Sequence, residues 1–578
     1  MRKLLSKAGV LMIAVVMTFS VVLFGQGCGG TKKTDEDSGS KLPSGVTNPF
    51  TLKVFNFNGG YGSDWLTALE SRYEKERAGK TFTVNGRTYD GVDVKITADK
   101  SKMMEDMATN YNFASNHIYF HEDVWYSKYL ADGNIFEDIT EALTTENPYE
   151  AGVKLEKKLS PEQKEYYLVN GKYYGVPHYA GYVGLNYDID LFTKKGYYLK
   201  DGYSYSGDTA ALARCFTKKA DEKTAGPDGV TGTEDDGLPT TYDEFFMLCG
   251  YIAQNNDIPM TWDNKNNQKY LNWFLSSLTA SYEGLEQMKL NFDYEGTAKN
   301  LVSVDASGNV TALPETVITP DNGYELAKQA GRYYGLSFLE KIIDNKWYSS
   351  DAGNDNIYAQ QIFVMGTEKD NKVAMLIDGV WWENEASPIF SRDHQLGQPA
   401  RKDRNYGFMP LPAATAEKAQ ERVTAMAQNK AGYTLLDTHN SLCFVGKGIS
   451  ADEKKIAIDF IQYAYTDVSL TEFTKITDTT KALQYTVSED DKKEMSAYGR
   501  SIITMQEKAD IVYSFSPKTF WKDNETKLSD YDDVYVAEVS SQVVSKPMSE
   551  FIGGKSAKQY FDGLYVYRSG TLWNTLTK

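Results

Sequence analysis

The spacing of apolar residues predicts that strands and helices alternate along most of the chain. Residues 51–57 are rich in strand-forming side chains, and Leu66, Leu69 and Tyr73 then recur at helical spacing after Ser63, which is suited to cap a helix. Further strands are predicted at 92–96, 117–120, 373–377 and 441–445, a hairpin at 302–311, and capping boxes that start helices at 241–244 and 450–453. Strands that alternate with helices indicate an α/β fold with parallel βαβ units, so segments 58–61 and 121–125, which follow strands, are expected to face a cleft.

The first 27 residues have the order of a secretory signal. Met1–Lys7 is basic, Ala8–Phe24 is an uncharged and mostly apolar run, and Cys28 follows the small residue Gly27. The apolar run is also close to the shortest length that spans a membrane, so a transmembrane anchor is the alternative. Residues 28–49 then read as a flexible tether, because they are polar, rich in Gly, Ser and Pro, and without apolar periodicity.

Composition limits what the body of the chain can be. Hydrophobic residues make up 41% of the 578, which is enough to bury a globular core, and the net charge of −17 is unfavourable for binding nucleic acid. The cysteines are Cys28, Cys215, Cys249 and Cys443, and none forms a CxxC pair. Buried free thiols are therefore expected beyond Cys28, in preference to a disulfide framework or a zinc site.

The segment around Cys28 resembles the lipobox of bacterial lipoproteins, and several segments of the body resemble extracellular solute-binding proteins of ATP-binding-cassette importers, in particular the sugar-binding group that includes maltose-binding proteins. The segments, in chain order over roughly residues 50–480, are Gly133–Thr140, Lys172–Pro177, Gly184–Phe192, Leu238–Phe245 and Ala374–Trp381. Insertions at 197–237 and 280–319 make this chain longer than the typical member of that group.

The resemblance implies a two-lobe periplasmic-binding-protein-like fold of type II, with crossings that act as a hinge. Lobe I would comprise 50–180 and 412–466, and lobe II 181–411 and 467–578. It also implies a monomer held on the extracytoplasmic face of the cell membrane by acyl chains (palmitate) on Cys28. Such a receptor captures a carbohydrate, expected to be an oligosaccharide, by lobe closure and delivers it to the permease subunits of the transporter, without a required cofactor.

The resemblance also indicates which residues bind the sugar, whose apolar ring faces and hydroxyl rim require aromatic platforms beside polar groups. Trp381 is expected to stack on a sugar ring; burial in the core is the alternative for it and for Trp262. For the candidates in the loop after the first strand, the alternative to sugar binding is an ordinary tight turn. For the candidates in 121–125, the alternative is simple exposure at the surface. The candidates are Trp381, Trp382, Asn58, Gly60, Tyr61, His121, Glu122, Trp125, Tyr179, Tyr182 and Trp262.

An acidic, glycine-rich loop at 228–237 is the candidate metal site. Some oligosaccharide-binding relatives carry a structural calcium loop at this place in the chain, and closely spaced carboxylates suit Ca²⁺. Asp228, Asp235 and Asp236 would be its ligands; a solvated acidic loop is the alternative.

An enzyme is the competing class of function. The sequence has no HExxH, GxSxG or GxxxxGK[ST] motif, and it has only five histidines. A secreted glycoside hydrolase needs only two carboxylates across a sugar bond, which sequence does not exclude. A surface carbohydrate adhesin and non-sugar ligands such as peptides also stay open.

Overall fold

The computed structural model describes residues 42–202, 205, 207–263, 269–349, 355–367, 369, 371–414, 433–528 and 534–578. The predicted signal segment and Cys28 lie outside the described residues. Contacts divide the chain into residues 1–46, of which 42–46 form a turn, and a body of residues 47–578. The following paragraphs concern the body.

The strands, in chain order, are β1 Phe50–Asn56, β2 Phe82–Val84, β3 Arg87–Tyr89, β4 Val92–Ala98, β5 Ile118–His121, β6 Val176–Pro177, β7 Val183–Asp188, β8 Tyr198–Leu199, β9 Phe216–Thr217, β10 Ile258–Thr261, β11 Gly296–Ala298, β12 Val302–Val304, β13 Val310–Ala312, β14 Thr316–Ile318, β15 Val373–Gly379, β16 Tyr406–Met409, β17 Tyr433–Asp437, β18 Leu442–Val445, β19 Ala509–Tyr513, β20 Ala537–Val539 and β21 Gln542–Val544.

The α-helices, in chain order, are α1 Asp64–Arg77, α2 Met104–Asn110, α3 Tyr126–Asp132, α4 Thr140–Thr144, α5 Pro161–Tyr167, α6 Ile189–Lys195, α7 Tyr242–Gln254, α8 Lys269–Asp293 (broken at Gly284), α9 Ala330–Asp344, α10 Asn356–Met365, α11 Trp382–Glu385, α12 Ser387–Gln395, α13 Ala451–Ala464, α14 Asp467–Thr477, α15 Glu489–Glu494, α16 Ala497–Lys508, α17 Thr519–Leu528, α18 Pro547–Ile552 and α19 Ala557–Tyr567.

Two separate sheets form the centres of two α/β lobes. The first has the order β4-β1-β5-β18-β6, and the second has the order β10-β15-β7-β16. In the first sheet β1 runs parallel to β4 and β5, as βαβ units require, whereas β18 is antiparallel to β5 because the chain enters it on its return from the second lobe. The predicted α/β fold with two lobes is confirmed.

The predicted element boundaries are close to those of the structure. Side-chain and backbone bonds complete the capping boxes of α7 and α13, and the hairpin of β12 and β13 is present. Ser63 occupies the N-cap position of α1, but its side chain makes no capping hydrogen bond, so that prediction was wrong in its mechanism. The apolar run at 373–377 is explained by β15, in which all seven residues are buried in the middle of the second sheet.

Three chain segments cross between the lobes and are hydrogen-bonded to one another. We call segments 178–182, 437–441 and 479–482 together the hinge. The His178 N–H donates to the Ser441 carbonyl (3.1 Å), the Ala180 N–H to Thr480 (3.0 Å), and the Thr438 N–H to Gly181 (2.8 Å). The crossings therefore form one connected unit, although the first lies more than 250 residues before the other two in sequence.

Helices from the last third of the chain pack against both lobes. Helix α14 contacts α1 and α13 beside the first sheet, and α16 contacts β16 of the second. Helix α17 touches α8 and also α3, where Glu525 accepts hydrogen bonds from the Lys128 N–H (3.2 Å) and the Tyr166 hydroxyl. The lobe limits at 466 and 467 stay a prediction.

Two further observations concern the cysteines and the helices of the body. Cys215, Cys249 and Cys443 are buried free cysteines, as predicted. Within the part of the chain that the structure describes, no helix is both long enough and apolar enough to cross a bilayer.

The hinge contains a buried lysine enclosed by aromatic rings. Lys481 is 2% exposed; its Nζ lies 4.3 Å from the ring centroid of Trp65 and 4.2 Å from that of Phe473, and it is hydrogen-bonded to Nδ1 of His178. No carboxylate among the described residues forms an ion pair with it. Burial lowers the pKa of Lys481 well below its usual value, because the charged ammonium is disfavoured there.

We expect Lys481→Met to raise the free energy of unfolding by about 1–3 kcal/mol, because Met keeps most of the volume and removes a desolvated amine. The unfolded chain binds a proton at Lys481 more readily than the folded chain does, so the stability of the wild-type protein should rise with pH up to about pH 10, the usual pKa of a lysine. The variant should lose that part of the pH dependence. Urea denaturation at several pH values measures both effects.

The exposed Lys154 supplies the matched control, and Lys154→Met should change neither stability nor its slope with pH. A Lys481→Met protein with unchanged stability and the wild-type pH slope would contradict this account of the hinge.

Candidate functional site

Residues from both lobes and the hinge enclose a cavity of about 240 Å³, which we call the cleft cavity. The first lobe contributes the loops after β1, β4 and β5, and the second contributes the start of α8 and the region of α11. The lining residues are Phe57, Gly59, Gly60, Lys100, Met103, Glu122, Asp123, Lys269, Tyr270, Trp273, Trp381, Glu385 and His439. The cavity thus lies at the carboxyl ends of β1 and β5, where the α/β pattern predicts a ligand site.

Trp381 lies at the centre of the cavity wall and contacts both lobes. Its ring stacks on His439 with centroids 4.4 Å apart and planes 16° from parallel. A Cβ built on Gly60 would lie 2.3 Å from Cδ1 of Trp381, so only glycine allows this approach of the first lobe to the indole. Trp381 is 4% exposed in this closed arrangement.

Glu122 is one of two acidic residues that the first lobe contributes to the cavity, the other being Asp123. Its carboxylate accepts a hydrogen bond from the hydroxyl of Tyr179, and a Cβ on Gly59 would lie 2.4 Å from its Oε1. Burial raises the pKa of Glu122 to about 8, with a smaller contribution from the charge of Asp123. Glu122 is therefore largely protonated at neutral pH and can both donate and accept hydrogen bonds.

Besides Trp381, the second lobe contributes two aromatic rings, a lysine and a glutamate. Tyr270 and Trp273 lie one turn apart on α8, and their rings are edge-to-face at 5.4 Å. Trp273 is also edge-to-face with Trp381, at 6.2 Å, and the Nζ of Lys269 lies 4.7 Å from its ring centroid. Glu385 accepts hydrogen bonds from the amides of Asn356 (3.0 Å) and Gln360 (2.8 Å).

His439 connects the cavity to the hinge. Burial lowers the pKa of His439 to about 4, so its ring is neutral at physiological pH. A Cβ on Gly181 would lie 2.6 Å from Cγ of His439, which shows how closely the first crossing packs against this ring. The neutral imidazole serves as a flat support for Trp381.

The predicted residues divide into three groups. Trp381, Gly60 and Glu122 line the cavity. Tyr61 and Tyr179 form a second layer behind it: their rings stack at 3.7 Å, and the Tyr61 hydroxyl donates to the Ala180 carbonyl at 2.7 Å. Their hydroxyls hold the loop of the first lobe and Glu122 against the hinge.

The remaining candidates lie elsewhere. Trp382 is fully buried and packs edge-to-face against Phe363 and Tyr406, because the chain turns into α11 directly after Trp381 and directs the two indoles differently. Trp262 is fully buried beside Tyr348. These two tryptophans belong to the core of the second lobe, which was the alternative for Trp262.

Three candidates from the first lobe and one from the hinge also do not line the cleft cavity. The ring nitrogens of His121 lie 2.7 and 2.8 Å from the carbonyl oxygens of Glu122 and Lys102, so this buried histidine fixes the loop. Trp125 stacks on Tyr129 at 6.0 Å, and Asn58 is not among the lining residues. Tyr182 lines a different cavity.

Sequence reasoning missed several lining residues. Glu385 follows the tryptophan pair by one helical turn, and Tyr270 lies one turn before Trp273 on α8, so spacing offered a weak signal for these two residues. Nothing in the local sequence of His439 indicates a site, because it faces the cavity only through the path of the second crossing.

The acidic loop holds its carboxylates by hydrogen bonds. Asp235 accepts bonds from the Asp228 N–H (3.0 Å) and the Thr233 hydroxyl (2.6 Å), Asp236 accepts one from the Gly232 N–H (2.7 Å), and Lys508 Nζ lies 3.1 Å from Asp228. Among the described residues no group of three acidic, His or Cys side chains is arranged to hold a metal ion. The carboxylates are thus held by hydrogen bonds within the loop and by Lys508, and calcium binding stays a prediction.

Comparisons place this fold among known structures. No family model matches the sequence, and a search of curated proteins found no match. The structure is similar to a chitin oligosaccharide binding protein (15% identity, 91% of this chain and 99% of the other, TM-score 0.50). It is also similar to the GacH receptor of Streptomyces glaucescens, solved unliganded and with acarbose (14%, 92% and 100%, 0.50), and to maltose-bound T. maritima MalE3 (13%, 89% and 98%, 0.50). At these identities the likeness establishes the fold, so the chain has the two-lobe architecture of these sugar-binding proteins.

Proposed function

We propose that the protein captures an oligosaccharide between its lobes and releases it unchanged. The observation that carries this proposal is the cleft cavity, where Trp273 and Trp381 of the second lobe lie together with Glu122 of the first. Aromatic faces suit the apolar faces of sugar rings, and carboxyl groups suit their hydroxyls. The structural neighbours named for chitin oligosaccharide, acarbose and maltose support a sugar as the ligand.

Binding requires the lobes to separate first. A cavity of about 240 Å³ is smaller than typical ligand pockets of roughly 300–1,000 Å³, and Trp381 is covered by His439 and Gly60. A sugar that contacts both lobes stabilises the closed state over the open one, and that difference in affinity drives closure about the hinge.

We also propose that the protein acts outside the cell, anchored to the membrane through acyl chains on Cys28, and hands its ligand to an ATP-binding-cassette permease. The sequence order of residues 1–28 supports the anchor, and the two-lobe fold supports the delivery.

Hydrolysis of a glycosidic bond is the second candidate function. Glu122 and Glu385 both line the cleft cavity, and a carboxyl with a pKa of about 8 suits a general acid. Incubation of the protein with an oligosaccharide that it binds separates the two candidates: recovery of the sugar intact supports capture, and shortened products support hydrolysis.

Trp381→Ala should weaken sugar binding by about 1–3 kcal/mol, because it removes an aromatic platform from the cavity. A thermal-shift screen of maltotriose, chitotriose and xylotriose identifies the ligand, and calorimetry then gives the affinity. The control is Trp347→Ala, since Trp347 is half-buried against Phe246 and does not line the cavity. Equal affinities for the wild-type protein and Trp381→Ala would remove this tryptophan from the site.

Gly60→Ala should weaken binding of the same sugar several-fold, because its Cβ displaces the indole of Trp381 or prevents closure. The effect should largely disappear in the Trp381→Ala background, since the two residues act through one contact. Gly570→Ala is the control, because nothing lies within 4 Å of its added Cβ. Full additivity of the two substitutions would argue against this coupling.

Cys28→Ser should release the protein from the membrane fraction, because the serine hydroxyl cannot accept the acyl chains of a lipoprotein. Labelling with an alkyne analogue of palmitate, followed by membrane fractionation, measures both properties. Cys215→Ser, the same change at a buried thiol, should leave anchoring intact. Membrane retention of unlabelled Cys28→Ser would favour the transmembrane alternative for residues 8–24.

A further inference from the structure

A second and larger cavity lies beside the hinge. It encloses about 450 Å³, and we call it the hinge cavity. Segment 480–487, the end of α16 and strand β19 supply most of its walls, and Tyr182 and Asp437 of the first two crossings supply the rest. Each of the three crossing segments therefore contributes to it.

Aromatic and acidic groups dominate the chemistry of this cavity. Tyr182, Tyr485 and Tyr513 contribute rings, Asp437 and Glu507 contribute carboxylates, and the described lining contains no lysine, arginine or histidine. Glu507 is paired with Lys492 at 2.8 Å, so its charge is already balanced. Asp437 has no such partner among the described residues.

The carboxylate of Asp437 lies in the cavity wall. One of its oxygens accepts hydrogen bonds from the described residues, and the other does not. Its Oδ1 accepts hydrogen bonds from the backbone N–H groups of Gly181 (3.0 Å) and His439 (3.1 Å). Its Oδ2 accepts none from the residues that the structure describes, although Asp437 is only 4% exposed. Burial raises the pKa of Asp437 to about 7, as expected for a carboxylate without a cation nearby.

The hydroxyl of Tyr485 is engaged by residues that do not line the cavity. The Tyr485 hydroxyl is hydrogen-bonded to Thr474 and accepts a bond from the Lys481 N–H at 3.1 Å. Aromatic faces beside a desolvated carboxylate favour a compact organic cation, because cation–π attraction adds to the charge interaction.

We propose that the hinge cavity binds a small organic ammonium compound that contacts Asp437 and the surrounding tyrosines. This site is distinct from the cleft cavity and does not depend on the proposed sugar function. Bound cation would hold Asp437 ionised, which strengthens its hydrogen bonds to the Gly181 and His439 N–H groups and rigidifies two of the three crossings.

Calorimetry of the purified protein with choline chloride tests the proposal, with 3,3-dimethylbutan-1-ol as the neutral isostere. We expect saturable choline binding at concentrations up to about 50 mM, and at least roughly tenfold weaker binding of the alcohol. Asp437→Asn should reduce choline affinity about tenfold while keeping an oxygen for the hinge N–H groups. Asp510→Asn, the same charge change at an exposed position on β19, should have no effect.

Tyr513→Leu keeps the test informative if Asp437→Asn folds poorly, and it should also weaken choline binding. Hydrogen exchange should show slower exchange at 178–182 and 437–441 when choline is added to the wild-type protein. Trp381→Ala should leave choline binding unchanged, which separates this site from the cleft cavity. Absence of saturable choline binding, equal binding of the alcohol, or full affinity in both Asp437→Asn and Tyr513→Leu would overturn the proposal.

Discussion

The hydrogen-bonded union of three crossing segments is the constraint on which the rest of the structure depends. Backbone bonds join His178 to Ser441, Ala180 to Thr480 and Thr438 to Gly181. Because these bonds fix the crossings relative to one another, the two sheets can change their relative position only by bending about this unit. The loops of the first lobe and the tryptophans of the second therefore meet at a defined place, which is the cleft cavity.

Polar and aromatic groups are buried at the hinge at a cost to stability. Among the residues that the structure describes, Lys481 lies between aromatic rings without a carboxylate partner, and Asp437 is buried without a cationic one. Ionisable groups in such surroundings destabilise a fold, because their desolvation is not offset by an opposite charge. If the lobes move about the hinge as proposed, a cavity at its side provides a place where a ligand can act on that motion.

The cleft cavity combines rigid supports with close contacts. His439 supports one face of Trp381, and Gly60 allows the first lobe to approach its edge. Glu122 is held by Tyr179 from behind, so its position is tied to the hinge as well. The groups that would touch a ligand are thus positioned by both lobes and by the hinge, so the proposed binding depends on the relative position of the lobes.

The sequence by itself determined the order of strands and helices, the capping boxes of α7 and α13 and the buried thiols, because these follow from local periodicity, short motifs and the spacing of the cysteines. Trp381 became a candidate through the resemblance of its segment to sugar-binding proteins, and it lines the cavity. Only the tertiary structure decided that Trp381 faces the cavity while Trp382 enters the core, and that Glu385 and His439 join Glu122 around one space. The physical reason is that these residues come together through the crossings and the packing of separate lobes, and no local pattern records contacts between segments that are hundreds of positions apart.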